Sequence, residues 1–189
     1  MTKDFASLQR RPFLTPIWLT VLGAICAIGI LGFAIWGWGQ ADSTMVVVIR
    51  HAEKELDAGG DPPLSPAGVA RAERLSRMFG DAAAAGHIEA IYVSPTVRNR
   101  MTAAPLAARL GLTPIVTTNS NPSSLARRVL REHAGGRVLV VGHSDTINEI
   151  VEALSGVRDL PVIGGAEYGT MYIVCVPRIG RANVLRGTY

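Results

Sequence analysis

The chain has 189 residues, enough for one ordinary domain and a short extension. Apolar residues make up 48% of it and charged residues 18%, which excludes a disordered or fibrous protein. The net charge of +4 gives no sign of nucleic-acid binding: Lys3, Arg10 and Arg11 contribute three cations, and residues 41–189 hold 16 basic against 14 acidic side chains. Cys26 and Cys175 both lie in apolar stretches and are poorly placed to pair, so there is neither a disulfide framework nor a cysteine metal motif.

In chain order, a basic tail (1–16) comes first, and from Pro12 to Ala41 thirty residues carry no Asp, Glu, Lys or Arg. Within that run Ile17–Trp38 spans 22 residues, roughly 33 Å as a helix against a hydrocarbon core of about 30 Å. Trp18, Trp36 and Trp38 sit near its ends, where interfacial aromatics are favoured. A polar face, which a helix of a soluble domain would show, is missing. Residues 17–38 are therefore predicted to cross a membrane. Three readings agree on this. An uncleaved signal anchor is favoured, because secretory apolar regions usually run only about 7–15 residues. A cleaved signal peptide would end at Gly39-Gln40-Ala41, and twin-arginine export would use Gln9-Arg10-Arg11-Pro12-Phe13-Leu14. In each, the cations precede the span and Asp42 follows it, so the domain 42–189 is expected on the extracytoplasmic side, in the periplasm or at the cell surface of a bacterium.

Strand and helix patterns then alternate. Met45–Ile49 is a β-branched run suited to a sheet covered on both faces. After the loop Asp57–Pro63, a helix is predicted from Pro66 to about Phe79, with Ser65 as N-cap. A strand follows at Ala90–Val93, a helix at Val97–Leu110 stopping at Gly111, and a short strand at Pro114–Thr117. Next come a helix at about Ser123–His133, a buried strand at Arg137–Val141, and a helix at Thr146–Leu154 with Thr146 and Glu149 as a capping box. Thr170–Val176 and Ala182–Arg186 read as two strands near a sheet edge. This alternation predicts a three-layer α/β/α sandwich with a mostly parallel sheet. Ligands of such sheets lie outside the carboxyl ends of the strands.

Those ends deliver Arg50-His51-Ala52-Glu53-Lys54, Ser94-Pro95-Thr96-Val97-Arg98 and Gly142-His143-Ser144. Singly, each His reads as a turn residue and Arg98 as a solvated first-turn residue. Together, two Arg and two His suggest a seat for a tetrahedral dianion, since guanidinium forks match phosphate oxygens and imidazole is a nucleophile toward phosphorus.

The order RHAEK, DPPLSPAG, SPTVRNRMTAAPLA, VVVGHSDT resembles the histidine phosphatase superfamily, the phosphoglycerate-mutase-like clan. Within it the closest likeness is to the small bacterial branch whose first motif reads RHAEK. The resemblance runs from about Thr44 to the C-terminus. It implies that His51 is the nucleophile that becomes phosphorylated, that Arg50 and Arg98 clamp phosphate, and that His143 is the second catalytic His, with Ser144 beside it at the substrate. Asn99, Met101 and Asp145 depart from residues common in the family and bear on substrate contacts rather than on the phosphoryl chemistry.

On this reading neutral His51 attacks a phosphate monoester, Arg50, Arg98 and a protonated His143 hold the oxygens, and water hydrolyses the phosphohistidine. Glu53 stands between two roles, a general acid of raised pKa or an ion pair with a neighbouring Arg or Lys54. Long mutases of the clan carry their acid on an insertion, but here Gly111–Pro122 has no acidic residue, and Glu167 is a weaker candidate. His87 and His133 read as structural, and Arg127, Arg128 and Arg131 as a solvated helix face. A metal among His51, Glu53, His143 and Asp145 is conceivable, but two fixed guanidinium groups oppose it, so no metal or cofactor is expected.

The expected protein is a membrane-anchored, extracytoplasmic phosphatase acting on a small phosphate ester, such as a cell-envelope sugar or lipid phosphate. The alternatives are a tethered module that only binds phosphorylated sugars or lipids, a phosphoglycerate-mutase-like phosphotransferase, and removal of phosphate from protein phosphohistidine. The short domain weighs against the mutase, and an exported location against the last. No nucleic-acid partner is expected, and the sequence is silent on oligomeric state.

Overall fold

The computed structural model describes residues 17–41, 43–56, 59–81, 87–118 and 121–189. The basic tail with Arg10 and Arg11, Asp42, and part of the Asp57–Pro63 loop lie outside the described residues. The chain divides into two compact units, Met1–Trp38 and Gly39–Tyr189.

Helix α1, Ile17–Ala41, covers the predicted span and three further residues. Its segment Ile17–Gly37 is long and apolar enough to cross a membrane. Large apolar side chains such as Ile17, Ile28, Ile30 and Phe33 are exposed on all sides of it, as expected of a helix without a polar face.

The second unit is built on β1 (Ser43–Arg50), α2 (Pro66–Gly80), β2 (Ala90–Val93), α3 (Val97–Leu110), β3 (Ile115–Val116), α4 (Pro122–Glu132), β4 (Arg137–Gly142), α5 (Ile147–Ser155), β5 (Thr170–Pro177) and β6 (Asn183–Thr188). The strands form one mixed sheet of order β3-β2-β4-β1-β5-β6. Pairings β2–β3, β2–β4 and β1–β4 are parallel, whereas β1–β5 and β5–β6 are antiparallel. Strand β1 lies inside the sheet and Val46–Ile49 are fully buried. Val46 and Val48 face one core with Leu125, Val129, Ile147 and Ile150 from α4 and α5. Val47 and Ile49 face the other with Leu75 from α2 and Leu106 from α3. The period-2 alternation of a strand thus feeds both cores, which is why this run needs no polar residue. Burial of each such side chain is worth about 1.5–3 kcal/mol.

Element ends follow local chemistry. The Ser65 side chain accepts a hydrogen bond from Gly68 N with Pro66 in the first turn, and α3 stops at Gly111, whose φ of 66° is left-handed. Helix α4 begins earlier than expected, because Asn121 accepts from Ser124 N and Pro122 fits the first position. The expected capping box of α5 is not formed. Thr146 adopts a helical conformation and makes no cap bond, since its hydroxyl is taken by the backbone of His143.

The registers bring three carboxyl ends level. Arg50 pairs with Gly142 across β1–β4, and Val93 with Val141 across β2–β4. The start of α2 is pressed against the chain leaving β1: Ser65 N donates to Glu53 O at 2.9 Å, and a Cβ on Gly68 would collide with that same carbonyl. Gly68→Ala must therefore displace either α2 or the His51–Glu53 segment. At about 1–3 kcal/mol for overpacking, it is expected to lower the Tm by about 3–10 °C, read by calorimetry.

Candidate active site

Strand β1 ends in Arg50 and hands over directly to His51; both are buried, at 5% and 4% exposure. Arg50 is held from above by the segment preceding β5. Its Nη1 donates to the carbonyls of Gly164 (2.8 Å) and Glu167 (3.0 Å), and its Cζ lies 4.2 Å from the centre of the Tyr168 ring. From below, the Tyr189 hydroxyl donates to the Arg50 carbonyl at 2.6 Å. The Nε atoms of Arg50 and of Arg98 are buried without a hydrogen-bond partner.

His51 Nδ1 lies 2.8 Å from the carbonyl of Ala52. A carbonyl only accepts, so the proton sits on Nδ1 and Nε2 keeps its lone pair. Burial, with Arg98, His143 and Arg50 close by, pushes the His51 pKa down to about 4. The ring is therefore neutral at physiological pH, as a nucleophile requires. Ala52 N donates to Thr102 Oγ1 (3.0 Å), and that hydroxyl donates to the Arg98 carbonyl (2.8 Å). The loop that carries His51 is thus tied to the helix that carries Arg98.

The ring centroids of His143 and His51 are 5.4 Å apart. Its Nε2 is 3.0 Å from Ser94 Oγ, which in turn is 3.0 Å from Thr96 Oγ1. Nδ1 has a long 3.5 Å contact with Arg98 Nη2, a group that only donates, which places the His143 proton on Nε2. Burial and then Arg98 hold the His143 pKa below its usual value. That shift disfavours the protonated form of His143 in the free site, where the fixed positive charge comes from Arg50 and Arg98. Arg98 Nη1 pairs with Asp61 (3.1 Å), whose other oxygen accepts from Val97 N and so caps α3, where Thr96 makes no side-chain cap. Ser144, half-buried, occupies the turn between β4 and α5.

The structure brings Arg50, His51, Arg98 and His143 together and places Glu53 differently from a general acid. Its carboxylate is held by Nε and Nη2 of Arg71 on α2, chiefly through these hydrogen bonds, and its pKa is lowered, the opposite of what an acid needs. The ion-pair reading is the one realised, with an arginine 18 positions away rather than Lys54. Glu167 also acts structurally. Its carboxylate takes the Thr170 hydroxyl, Arg186 and Gly164 N, which shapes the segment that grips Arg50. His133 bonds Tyr92 and Glu89 outside the site, and His87 is exposed. Among the described residues no three His, Cys, Asp or Glu side chains gather as a metal would need.

Sequence reasoning missed Asp61, Arg71, Tyr168 and Tyr189. Asp61 had a signal, since DPPLS precedes a helix and an acidic side chain suits a helix N-terminus, but here it serves another helix than the one it precedes. Asn99, one of the departures from the family, is fully buried and donates to the carbonyl of Val141 at 2.9 Å, bracing the end of β4.

Residues 46–120 match the family model described as histidine phosphatase superfamily (branch 1). No curated protein sequence matches the chain. Among solved structures, the chain is similar to the protein histidine phosphatase SixA complexed with tungstate (TM-score 0.62, 19% identity, 76% of this chain and 96% of that one). It is also similar to a mycobacterial glucosyl-3-phosphoglycerate phosphatase (0.60, 17%, 78% and 98%). A third likeness is to a phosphoserine phosphatase mutant from Entamoeba histolytica in complex with phosphoserine (0.53, 15%, 75% and 94%).

Two expectations follow from the site's electrostatics. In imidazole-labelled protein, NMR should show His51 titrating near pH 4, well below the unfolded value of about 6.5. Between those values the unfolded chain takes up a proton that the folded site refuses, so stability should fall as pH drops through that window. Glu53→Gln should slow esters of good and of poor leaving groups by the same factor, about tenfold or less. Loss of an acid would instead penalise the poor leaving groups selectively.

Proposed function

We propose that the chain, whose residues 46–120 match the histidine phosphatase superfamily, is a phosphatase of that superfamily that hydrolyses phosphate monoesters through a phosphohistidine on His51, without a metal. The observation that carries this reading is the neutral, buried His51, its Nε2 lone pair preserved, set beside His143 and two guanidinium groups. A binding module would need the cations but not that nucleophile.

The steps are few. The phosphate dianion is seated by Arg50, Arg98 and the His143 side of the site, with Ser144 adjacent. His51 Nε2 forms a bond to phosphorus as the ester P–O bond breaks, and the leaving oxygen takes a proton from solvent. Water then attacks the phosphohistidine, inorganic phosphate forms, and Nε2 regains its lone pair. The two guanidinium groups supply the charge that a metal provides elsewhere. Tyr168 and the carbonyls of Gly164 and Glu167 keep Arg50 in place before substrate arrives, so little reorganisation accompanies binding.

Helix α1 would tether the enzyme to a membrane. The cations Arg10 and Arg11 precede the span and favour a cytoplasmic tail with the catalytic unit on the extracytoplasmic side. There a small sugar or lipid phosphate of the cell envelope is the substrate class at hand.

The full chain in detergent, given para-nitrophenyl phosphate with EDTA present, should turn over. His51→Ala should lower kcat by about 1,000-fold or more, with no phosphoprotein detectable by 31P NMR after rapid denaturation. Turnover that persists in His51→Ala, or that EDTA removes, would overturn the reading.

A further inference from the structure

Beside the anion seat lies an apolar slot of about 270 Å³. It opens between the ends of β2 and β4 and the first turns of α4 and α5, and its wall is carbon from Tyr92, Pro122, Leu125, Val140 and Ile150. His143 and Ser94 line it too, so one imidazole faces both spaces; His51 takes no part in its wall. Among the described residues no Asp, Glu, Lys or Arg lines the slot. Most of the polar groups that do are already engaged, the hydroxyls of Thr117 and Thr118 being the exceptions. Tyr92 is bonded to Glu132 and His133, Ser94 to His143 and Thr96, and Thr146 to the backbone of His143.

Such a lining selects by chemistry. A polyol entering the slot would shed water and find few free partners, which is unfavourable for every hydroxyl. A hydrocarbon group gains by the same transfer. An apolar cavity of about 150 Å³ already holds benzene, so there is room for a ring or a short run of methylenes. The slot is lined by His143 and not by His51, so a group lodged in it would leave the His51 side of the anion seat unobstructed. We propose that this slot receives the leaving group of the substrate, and that the substrate is a phosphate monoester whose alcohol is apolar, an aromatic ring or an alkyl chain, rather than a sugar. The inference rests on the phosphatase reading of the neighbouring site and narrows its substrate class from sugar or lipid phosphates to esters with a hydrocarbon arm.

The test is one of binding, independent of turnover. Methylphosphonate, benzylphosphonate and n-hexylphosphonate are titrated calorimetrically into the full chain in detergent, against a detergent-matched blank. At least one hydrocarbon arm should bind about tenfold tighter than methylphosphonate, at about three- to fourfold per buried methylene. Preference for benzyl assigns an aromatic leaving group, and preference for hexyl an alkyl chain. Thr118→Trp, an exposed position on the slot's wall, should collapse the ratio between the preferred phosphonate and methylphosphonate towards one. Ile150→Phe, which fills the slot from another wall, should do the same. Equal affinities in the parent, or a ratio unchanged by Thr118→Trp, would overturn the proposal. Tight benzyl or hexyl binding without His51-dependent turnover would leave the slot assigned and overturn the phosphatase reading; turnover with equal affinities would do the reverse.

Discussion

A guanidinium group at 5% exposure, gripped by carbonyl oxygens and a ring, is the constraint around which the site is arranged. Burying Arg50 at the end of a central strand puts a fixed charge where water is scarce, and such a charge must be hydrogen-bonded to be tolerated. The fold meets this need with parts distant in sequence: the loop before β5 supplies two carbonyls and the Tyr168 ring, and Tyr189 fixes the Arg50 carbonyl. Burial first, then Arg98 and more weakly the Arg50 cation, lower the pKa values of both histidines. On the proposed reading the arginine would both seat an oxyanion and help to keep His51 neutral before the oxyanion arrives.

The two histidines divide the work by tautomer. Backbone contact with Ala52 directs the His51 proton to Nδ1, whereas Arg98 directs that of His143 to Nε2. Identical side chains about 5 Å apart thus carry opposite tautomers, with a lone pair on Nε2 of His51 and a proton on Nε2 of His143 that is given to Ser94. Thr146, spent on the His143 backbone instead of on its own helix, shows the same priority of site geometry over local helix chemistry.

Much of the fold was legible because its signals are local. Val46–Ile49 is apolar on both faces, Ala90–Val93 and Val97–Leu110 match the observed bounds, and Gly111 ends its helix through a left-handed φ. The four central site residues were also legible, since each follows a buried strand or opens the next helix. What stayed hidden depends on contacts across the chain. Glu53 could be read as acid or ion pair until α2 brought Arg71 to it, and Thr146 looked like a cap until the turn at His143 claimed its hydroxyl. Asp61 serves α3 rather than the nearer α2, a choice made by how the loop packs rather than by spacing.

The bond from Tyr189 to Arg50 joins positions 139 residues apart, and the same Tyr189 accepts from Arg71 through its carbonyl and donates through its amide to Gly169. Contacts that close so long a loop carry a large entropic cost and form late. The parallel core of β1, β2 and β4 is complete by residue 142, but the arginine at its edge is not seated until β5 and β6 have docked. A chain emerging N-terminus first would therefore have its parallel strands available for pairing well before the residues that grip Arg50. On the proposed reading, capture of an anion would report on the docking of the C-terminal strands.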